Sequence, residues 1–341
     1  MPDYPIDFII TWVDGNDPVW QAEKNRYKGI NGDGRSSRYR DWDTLRYLLR
    51  GIEKFAPWVN RVFLVTCGHL PAWIDLSNPK LRIIRHSDYI PEQYLPTFSS
   101  RTIDMNFHRI RELSEHFVYF NDDMLLLKPV RREDFFVKGL PCDTAVLRPA
   151  VVRSLKNGNK ERTSQMYLAP VIDMALINKH FDKHKAIKSN FFRWYNPKYG
   201  KETVKTLSMA IWNFFPGIRE YHCCYSYLKS TYRELWEIEG EAFEEVCSHR
   251  FRVNTDYNHW VFSYWQMAKG RFYPRNPDFG TAYSLSDNDA GNQKIIASLK
   301  STKHKLICIN DSVSDENYEK IYRDLTACLE YLFPEKGSFE K

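Results

Sequence analysis

No stretch of this 341-residue chain holds the roughly twenty consecutive apolar residues that a membrane-crossing helix needs, so membrane contact is expected to be peripheral. The opening MPDYPIDFII has no basic segment ahead of a long apolar one, which argues against a secretory leader. Cysteine is sparse and odd in number: seven residues without repeated close pairing exclude a disulfide framework and suit a reducing, cytoplasmic compartment. His222, Cys223, Cys224, Cys247 and His249 lack the two-residue gap of a zinc chelate, so zinc is not expected there. Residues 29–37 (GINGDGRSS) match neither phosphate-loop pattern and read as a mobile loop. The formal net charge of +6 is modest, and no basic recognition helix is present, which excludes nucleic acid as the partner. The densest basic stretches, 153–162 and 179–188, read as solvated loop and helix faces. Neither an internal repeat nor a low-complexity tract occurs.

What the chain does hold is ordinary globular material, with 43% hydrophobic and 27% charged residues, and a high aromatic share of 15%. Those aromatics either fill core or stack on sugars and bases, and composition does not separate the two. The length calls for one large domain with an insertion, or for two domains sharing an interface. Short β-rich runs at 6–13, 61–66 (RVFLVT), 81–84 and 117–120 (FVYF) alternate with helical spacing from Asp43 to Pro57 and at 102–113. That alternation implies an α/β fold with a mainly parallel sheet. Beyond about residue 150 the pattern turns to aromatic-rich helices at 163–178, 203–214, 226–239 and 259–269. KLICI at 305–309 reads as a strand, and a closing helix spans 315–332, the last segment returning to the first sheet. The division expected is 1–150 with 271–341 as an α/β core, and 151–270 as a helical insertion.

The clearest chemical signal is Asn121-Asp122-Asp123, where the strand 117–120 runs out. Ligands of open α/β sheets bind beyond the carboxyl ends of strands. Two adjacent carboxylates there repel each other unless a cation compensates, and hard oxygen ligands favour Mg²⁺ or Mn²⁺ on a diphosphate; an ordinary acidic turn is the competing reading. Asn310-Asp311 after KLICI, and Asp14 and Asp17 after 6–13, repeat the strand-then-acid arrangement, so three acidic strand ends are candidates to converge on one site.

These residues carry a resemblance. IDFIITWVDGNDP resembles the first conserved region of the Stealth family, with its Thr-Trp-Val-Asp-Gly-x-Asp-Pro core. SRYRDWDTLRYLLRGIEKFAPWVNRVFLVTCGHLPAWIDL, LPTFSSRTIDMNFHRI and FVYFNDDMLLLKPV are similar to its second region; the His222 neighbourhood with FRVNTDYNHWVFSYW is similar to the third, and KLICINDS to the fourth. Where the third region usually has a proline two residues after the histidine, this chain has Cys224. The resemblance implies a GT-A-like nucleotide-sugar-binding core and transfer of a hexose or N-acetylhexosamine 1-phosphate to a glycan hydroxyl, in capsule or exopolysaccharide synthesis.

It further implies Asp123 and Asp311 as ligands of Mg²⁺ or Mn²⁺, with Asp122 beside them. Asp14, Asp17, Arg38, Asp41 and Arg46 match positions expected around the nucleotide-sugar, a UDP-sugar being the first expectation. His222 and Arg252 match the basic residues expected at the transferred phosphate, His222 as base or polarising group and Asp17 as reserve base. In such a reaction the acceptor hydroxyl attacks the phosphorus next to the sugar and nucleoside monophosphate leaves. The alternatives are a metal-dependent GT-A glycosyltransferase, which would release nucleoside diphosphate, and a noncatalytic glycan- or nucleotide-binding protein. Location is expected in the cytoplasm, at the inner face of the membrane where contact exists.

Overall fold

The computed structural model describes residues 4–27, 39–150 and 160–341; Arg38, the loop 29–37 and residues 153–159 of the first basic stretch lie outside them. From β1 (Ile6–Thr11) the chain runs through α1 (Pro18–Arg26) and α2 (Thr44–Phe55) to β2 (Val62–Thr66) and β3 (Leu81–Arg85). A short α3 (Ser100–Met105) precedes β4 (His116–Asn121), β5 (Met124–Leu126), β6 (Phe136–Val137) and β7 (Leu140–Asp143). Helices α4 (Lys160–His180), α5 (Lys183–Ser189), α6 (Phe191–Trp194) and α7 (Thr203–Ser208) lead to β8 (Tyr225–Leu228), α8 (Lys229–Ser248) and α9 (Trp260–Ala268). The chain closes with β9 (Tyr273–Pro274), β10 (Gly280–Ser286), α10 (Asp289–Ser301), β11 (Leu306–Ser312) and α11 (Asp315–Leu332).

Apolar side chains without alternation make a strand that must be covered on both faces. β1 is such a strand and takes the centre of a five-stranded sheet ordered β3-β2-β1-β4-β8, parallel except for β8, which pairs antiparallel with β4 at the edge. Ile6, Phe8 and Ile10 pack with Leu45, Leu48, Leu49 and Ile52 of α2 on one face. Ile9 faces the other way, into a layer that includes Tyr232 of α8 and Phe262 of α9. Each such side chain contributes about 1.5–3 kcal/mol by leaving water, so the two-sided cover holds β1 at the centre of the sheet.

A second sheet, β10-β11-β5, is closed over by α10 and α11. α2 joins the two sheets: a Cβ at Gly51 would stand 2.5 Å from the carbonyl oxygen of Leu126, so only glycine lets α2 lie this close to β5.

Several expectations are corrected here. The closing segment does not return to the first sheet: β11 pairs with β10 and β5 instead. Asn310 and Asp311 lie within β11 rather than after it, because pairing with β10 continues through Ser312. Residues 225–228 form strand rather than helix, since β4 offers them a free edge; α8 begins only at Lys229. The helix expected at 203–214 stops at Ser208, and that expected at 102–113 is the short α3 followed by a 3₁₀ turn, Phe107–Arg109.

Candidate active site

The chain builds outward from β1 to β2 and β3, then crosses to β4 on the other side, so strand order reverses between β1 and β4. A crevice opens at the carboxyl ends of strands flanking such a point. Register makes those ends level, with Thr11 of β1 beside Val65 of β2 and Asn121 of β4. Asp14 and Asp17, Cys67 and His69, and Asp122 and Asp123 therefore all leave the sheet from one edge.

Asp122 and Asp123 form the turn that carries the chain from β4 of the main sheet into β5 of the second. The carbonyl oxygen of Asp123 accepts the N–H of Ile309 at 2.9 Å, which fastens the turn to β11. One ligand-type atom each from Asp123, His222 and Cys308 lie within 4.8 Å of one another. Oδ1 of Asp123 is buried with no hydrogen-bond partner among the described residues. Burial pushes the Asp122 carboxyl well above the usual range, and the charges of Asp123 and Asp41 push it further; burial raises Asp123 as well. Crowded acids around an orphaned carboxylate oxygen have the chemistry of a divalent-cation site. The Cys308 thiol is pushed well above its ordinary pKa by burial and then by Asp123. Cys247 and His249 are engaged elsewhere, with Asn106 and Asp256.

His222 reaches this position through a backbone φ of +47°, a region that non-glycine residues avoid. Glu220 holds it there. Its Oε1 accepts from the backbone N–H of Tyr221 (2.9 Å) and of His222 (3.1 Å), and from Tyr225 Oη (2.7 Å). Tyr225 Oη in turn accepts from Trp260 Nε1 at 2.8 Å, so β8 and α9 together aim His222 at the acidic turn. Neighbouring His259 is kept neutral by burial first, then by the charges of His222 and Arg252.

Arg252 lies on a loop that Arg101 shapes from α3. Arg101 Nη1 donates to the carbonyls of Val253 (2.7 Å) and Asp256 (2.9 Å) and faces the Asp256 carboxylate at 3.5 Å. Arg252 itself donates to Ser100 Oγ, and its charge reaches Asp104 and His259.

Asp104 belongs to a buried chain leading to the acidic turn. Tyr119 Oη lies 3.0 Å from Asp104 Oδ1, 2.6 Å from Asn121 Oδ1 and 3.2 Å from Thr11 Oγ1. One hydroxyl proton serves one acceptor, so a proton on Asp104 completes the set, and burial accordingly raises its pKa to about 7. A carboxyl with a raised native pKa binds its proton in the folded state and loses it on unfolding. Its stabilising effect is present below the unfolded value and fades as pH rises toward 7. Asp104→Asn, which keeps an acceptor for Tyr119, should therefore gain on the wild type by a few kcal/mol between about pH 4 and about pH 8. Paired thermal melts across that range measure it, and a constant gap would remove the proton from Asp104.

The other candidates are placed as follows. Asp14 accepts Asn16 N–H (2.8 Å), while its own N–H donates to His69 Nε2 (2.7 Å). Asp17 caps α1 by accepting Trp20 N–H at 2.7 Å, and its second oxygen lies 3.9 Å from His69 Nδ1. Asp41 accepts from Trp12 Nε1 (3.1 Å), is raised by burial, and sits within electrostatic reach of Asp14 and Asp122. Arg46 is turned toward the C-terminal segment, over the Trp73 ring and 3.9 Å from Glu340. Asp311 lies outside the Asp123–His222–Cys308 group; its Oδ2, buried without a hydrogen-bond partner like Oδ1 of Asp123, faces Arg40 Nη1 at 3.2 Å. Cys308, Glu220, Asp104, His69 and Arg40 went unnoticed in the sequence. His69, Arg40 and Asp104 carried a signal, as polar residues within the quoted motifs.

Residues 4–32 match the family model Stealth protein CR1, conserved region 1, and residues 38–142 match Stealth protein CR2, conserved region 2. Over 345 residues the chain is 38% identical to capsular polysaccharide phosphotransferase WcwK of Streptococcus pneumoniae, across 98% of both chains. The chain belongs to the Stealth family. It is also 40% identical to receptor polysaccharide phosphotransferase WefC of Streptococcus oralis, over 98% of this chain and 99% of that one. With exopolysaccharide phosphotransferase cps2G of Lactiplantibacillus plantarum it shares 34% identity, over 99% and 97%. Among solved structures, galactosyltransferase LgtC with donor and acceptor sugar analogs matches with a TM-score of 0.35 and 9% identity, over 94% and 96% of the chains. In this Stealth chain the acidic turn lies inside the matched regions, whereas His222, Arg252 and Asp311 lie beyond both. No helix of the described residues is long and apolar enough to cross a membrane.

Proposed function

We propose that this Stealth protein transfers a hexose or N-acetylhexosamine 1-phosphate from a nucleotide-diphosphate sugar, a UDP-sugar first, to a glycan hydroxyl in capsule or exopolysaccharide synthesis. The observation that carries the reading is the orphaned, buried oxygen of Asp123 beside His222 at the β1/β4 crevice, in a chain similar over its whole length to polysaccharide phosphotransferases.

In this reading Asp123, with Asp122 adjoining and Asp311 on the β11 flank beside Arg40, would hold the divalent cation, and His222 stands next to them as the base. A bound Mg²⁺ or Mn²⁺ would neutralise charge on the diphosphate. The β1 loop, with Asp14, Asp17, Asp41 and His69, lines the donor's side of the crevice. Arg252 offsets the charge that develops on the non-bridging oxygens as the acceptor hydroxyl attacks phosphorus. The phosphorus–oxygen bond to the nucleoside monophosphate breaks, and the anomeric carbon keeps its bonds. The acceptor's proton goes to the basic nitrogen of His222, which is not spent on the cation, or to Asp17 Oδ2. The helical segment 151–270 supplies the phosphate and acceptor contacts, and the work is done in the cytoplasm with peripheral membrane contact.

The test is to incubate the protein with Mg²⁺, a panel of UDP- and GDP-sugars and a mixed glycan acceptor extract, and to identify the released nucleotide by chromatography. Acceptor-dependent monophosphate is expected. Diphosphate would mean glycosyl transfer, and donor binding without turnover that survives Asp123→Asn would mean a binding protein.

A further inference from the structure

A helix of a water-soluble protein normally turns its apolar stripe inward. α7 does the opposite. Val204, Leu207 and, just past its end, Ile211 follow i, i+3, i+7 spacing and are 65%, 55% and 85% exposed, while Thr206 between them is buried. Of the twelve large apolar side chains left exposed among the described residues, seven fall between 191 and 214, Phe192 being 81% exposed. The short elements that carry them form one unit. Lys183, the first residue of α5, donates to the carbonyls of Met209 (2.7 Å) and Trp212, and Trp194 of α6 packs on Phe215 with ring centroids 5.6 Å apart.

Charge is concentrated on the same segment. Between 179 and 214 there are eight Lys and Arg and two acids, a surplus equal to the formal +6 of the entire chain. Both acids are already engaged: Asp182 caps α5 by accepting Lys185 N–H at 2.7 Å, and Glu202 is buried against Lys205 and Arg219. Lys185, Lys188 and Lys201 are exposed on the same segment, as are Lys198 and Lys205, which also reach the Pro274 carbonyl and Glu202.

We infer that this face docks on an anionic lipid bilayer, the apolar side chains entering the interface and the lysines meeting lipid phosphates. Exposed apolar residues on a segment rich in one sign of charge match that surface on both counts, each basic residue adding attraction to anionic headgroups. A second copy of the chain would bring the same positive charge against itself. This extends the peripheral contact proposed above and does not depend on the transfer chemistry.

The test is flotation with vesicles of roughly one-third phosphatidylglycerol in phosphatidylcholine, against pure phosphatidylcholine, with light scattering of the free protein. Binding to the anionic vesicles alone is expected, weakening with salt and falling at least about tenfold in Leu207→Asp/Ile211→Asp and in Lys185→Glu/Lys188→Glu. Both double variants should keep the wild-type fold and melting temperature, because the altered side chains are exposed. Equal binding to neutral vesicles, unchanged flotation of the variants, or a dimer that Leu207→Asp/Ile211→Asp dissociates would each overturn the inference. Lipid binding by a protein that transfers nothing would refute the proposed function and leave this surface standing.

Discussion

Asp123→Asn is expected to lower acceptor-dependent release of nucleoside monophosphate by roughly 10³-fold or more, and to reverse the order of stabilities when metal is added. In the metal-free protein the wild type has two buried, mutually repelling carboxyls at the β4–β5 turn, both raised in pKa. An amide removes that repulsion, so the variant should melt at or above the wild-type temperature. With Mn²⁺ at about a hundred times its dissociation constant the wild type should gain about 2.7 kcal/mol, and the variant much less. Thermal melts with and without Mn²⁺ read this independently of turnover. An equal Mn²⁺ shift in both proteins would take Asp123 out of the cation site, whatever became of the activity.

Arg252→Ala should reduce kcat by about 10²–10³-fold while leaving donor binding and the melting temperature close to wild type, since the interaction removed is strongest when charge develops on the phosphoryl oxygens. Arg252→Lys should recover only part of the rate, because an ammonium cannot reproduce the planar fork of donors. Arg101→Ala provides the contrast. It removes the guanidinium that the carbonyls of Val253 and Asp256 share and leaves the Asp256 carboxylate, almost wholly buried, to His249 and the Val253 N–H. Breaking a buried pair of this kind costs about 3–5 kcal/mol, so that variant should lose activity and stability together. Steady-state kinetics with a donor-binding titration separates the two cases; a rise in KM without loss of kcat in Arg252→Ala would move Arg252 to ground-state binding.

How much of this was legible depended on distance along the chain. β1, β2, β4 and α2 announce themselves locally, through apolar runs that end in acids, at Gly68 or at Pro57, and the acidic turn follows from where FVYF stops. β8 did not, because Tyr-Ser-Tyr-Leu becomes a strand only when β4, more than a hundred residues earlier, offers its edge. Cys308 reads as one more apolar residue of KLICI, and nothing local says that it faces Asp123. Asp311 looked equivalent to Asp123 because both end an apolar run. The pairing of β11 with β10 keeps Asp311 in the strand and delivers it to Arg40, itself separated from it by 271 positions. His222 stood out only through family resemblance, since Glu220, Tyr225 and Trp260, which give it its direction, are unremarkable as sequence. Arg46 matched a motif position, yet Glu340 and Trp73 draw it to the C-terminal segment.

The left-handed backbone of His222 bears on how this protein could be improved or spoiled. Glycine or asparagine accepts a φ of +47° with less strain than histidine, by about 1 kcal/mol. A search that scores heat tolerance alone would favour replacing the imidazole, and its winners would be sturdier proteins that had lost the group facing Asp123. With His222 in the role proposed above, selection for longevity and selection for turnover pull residue 222 in opposite directions.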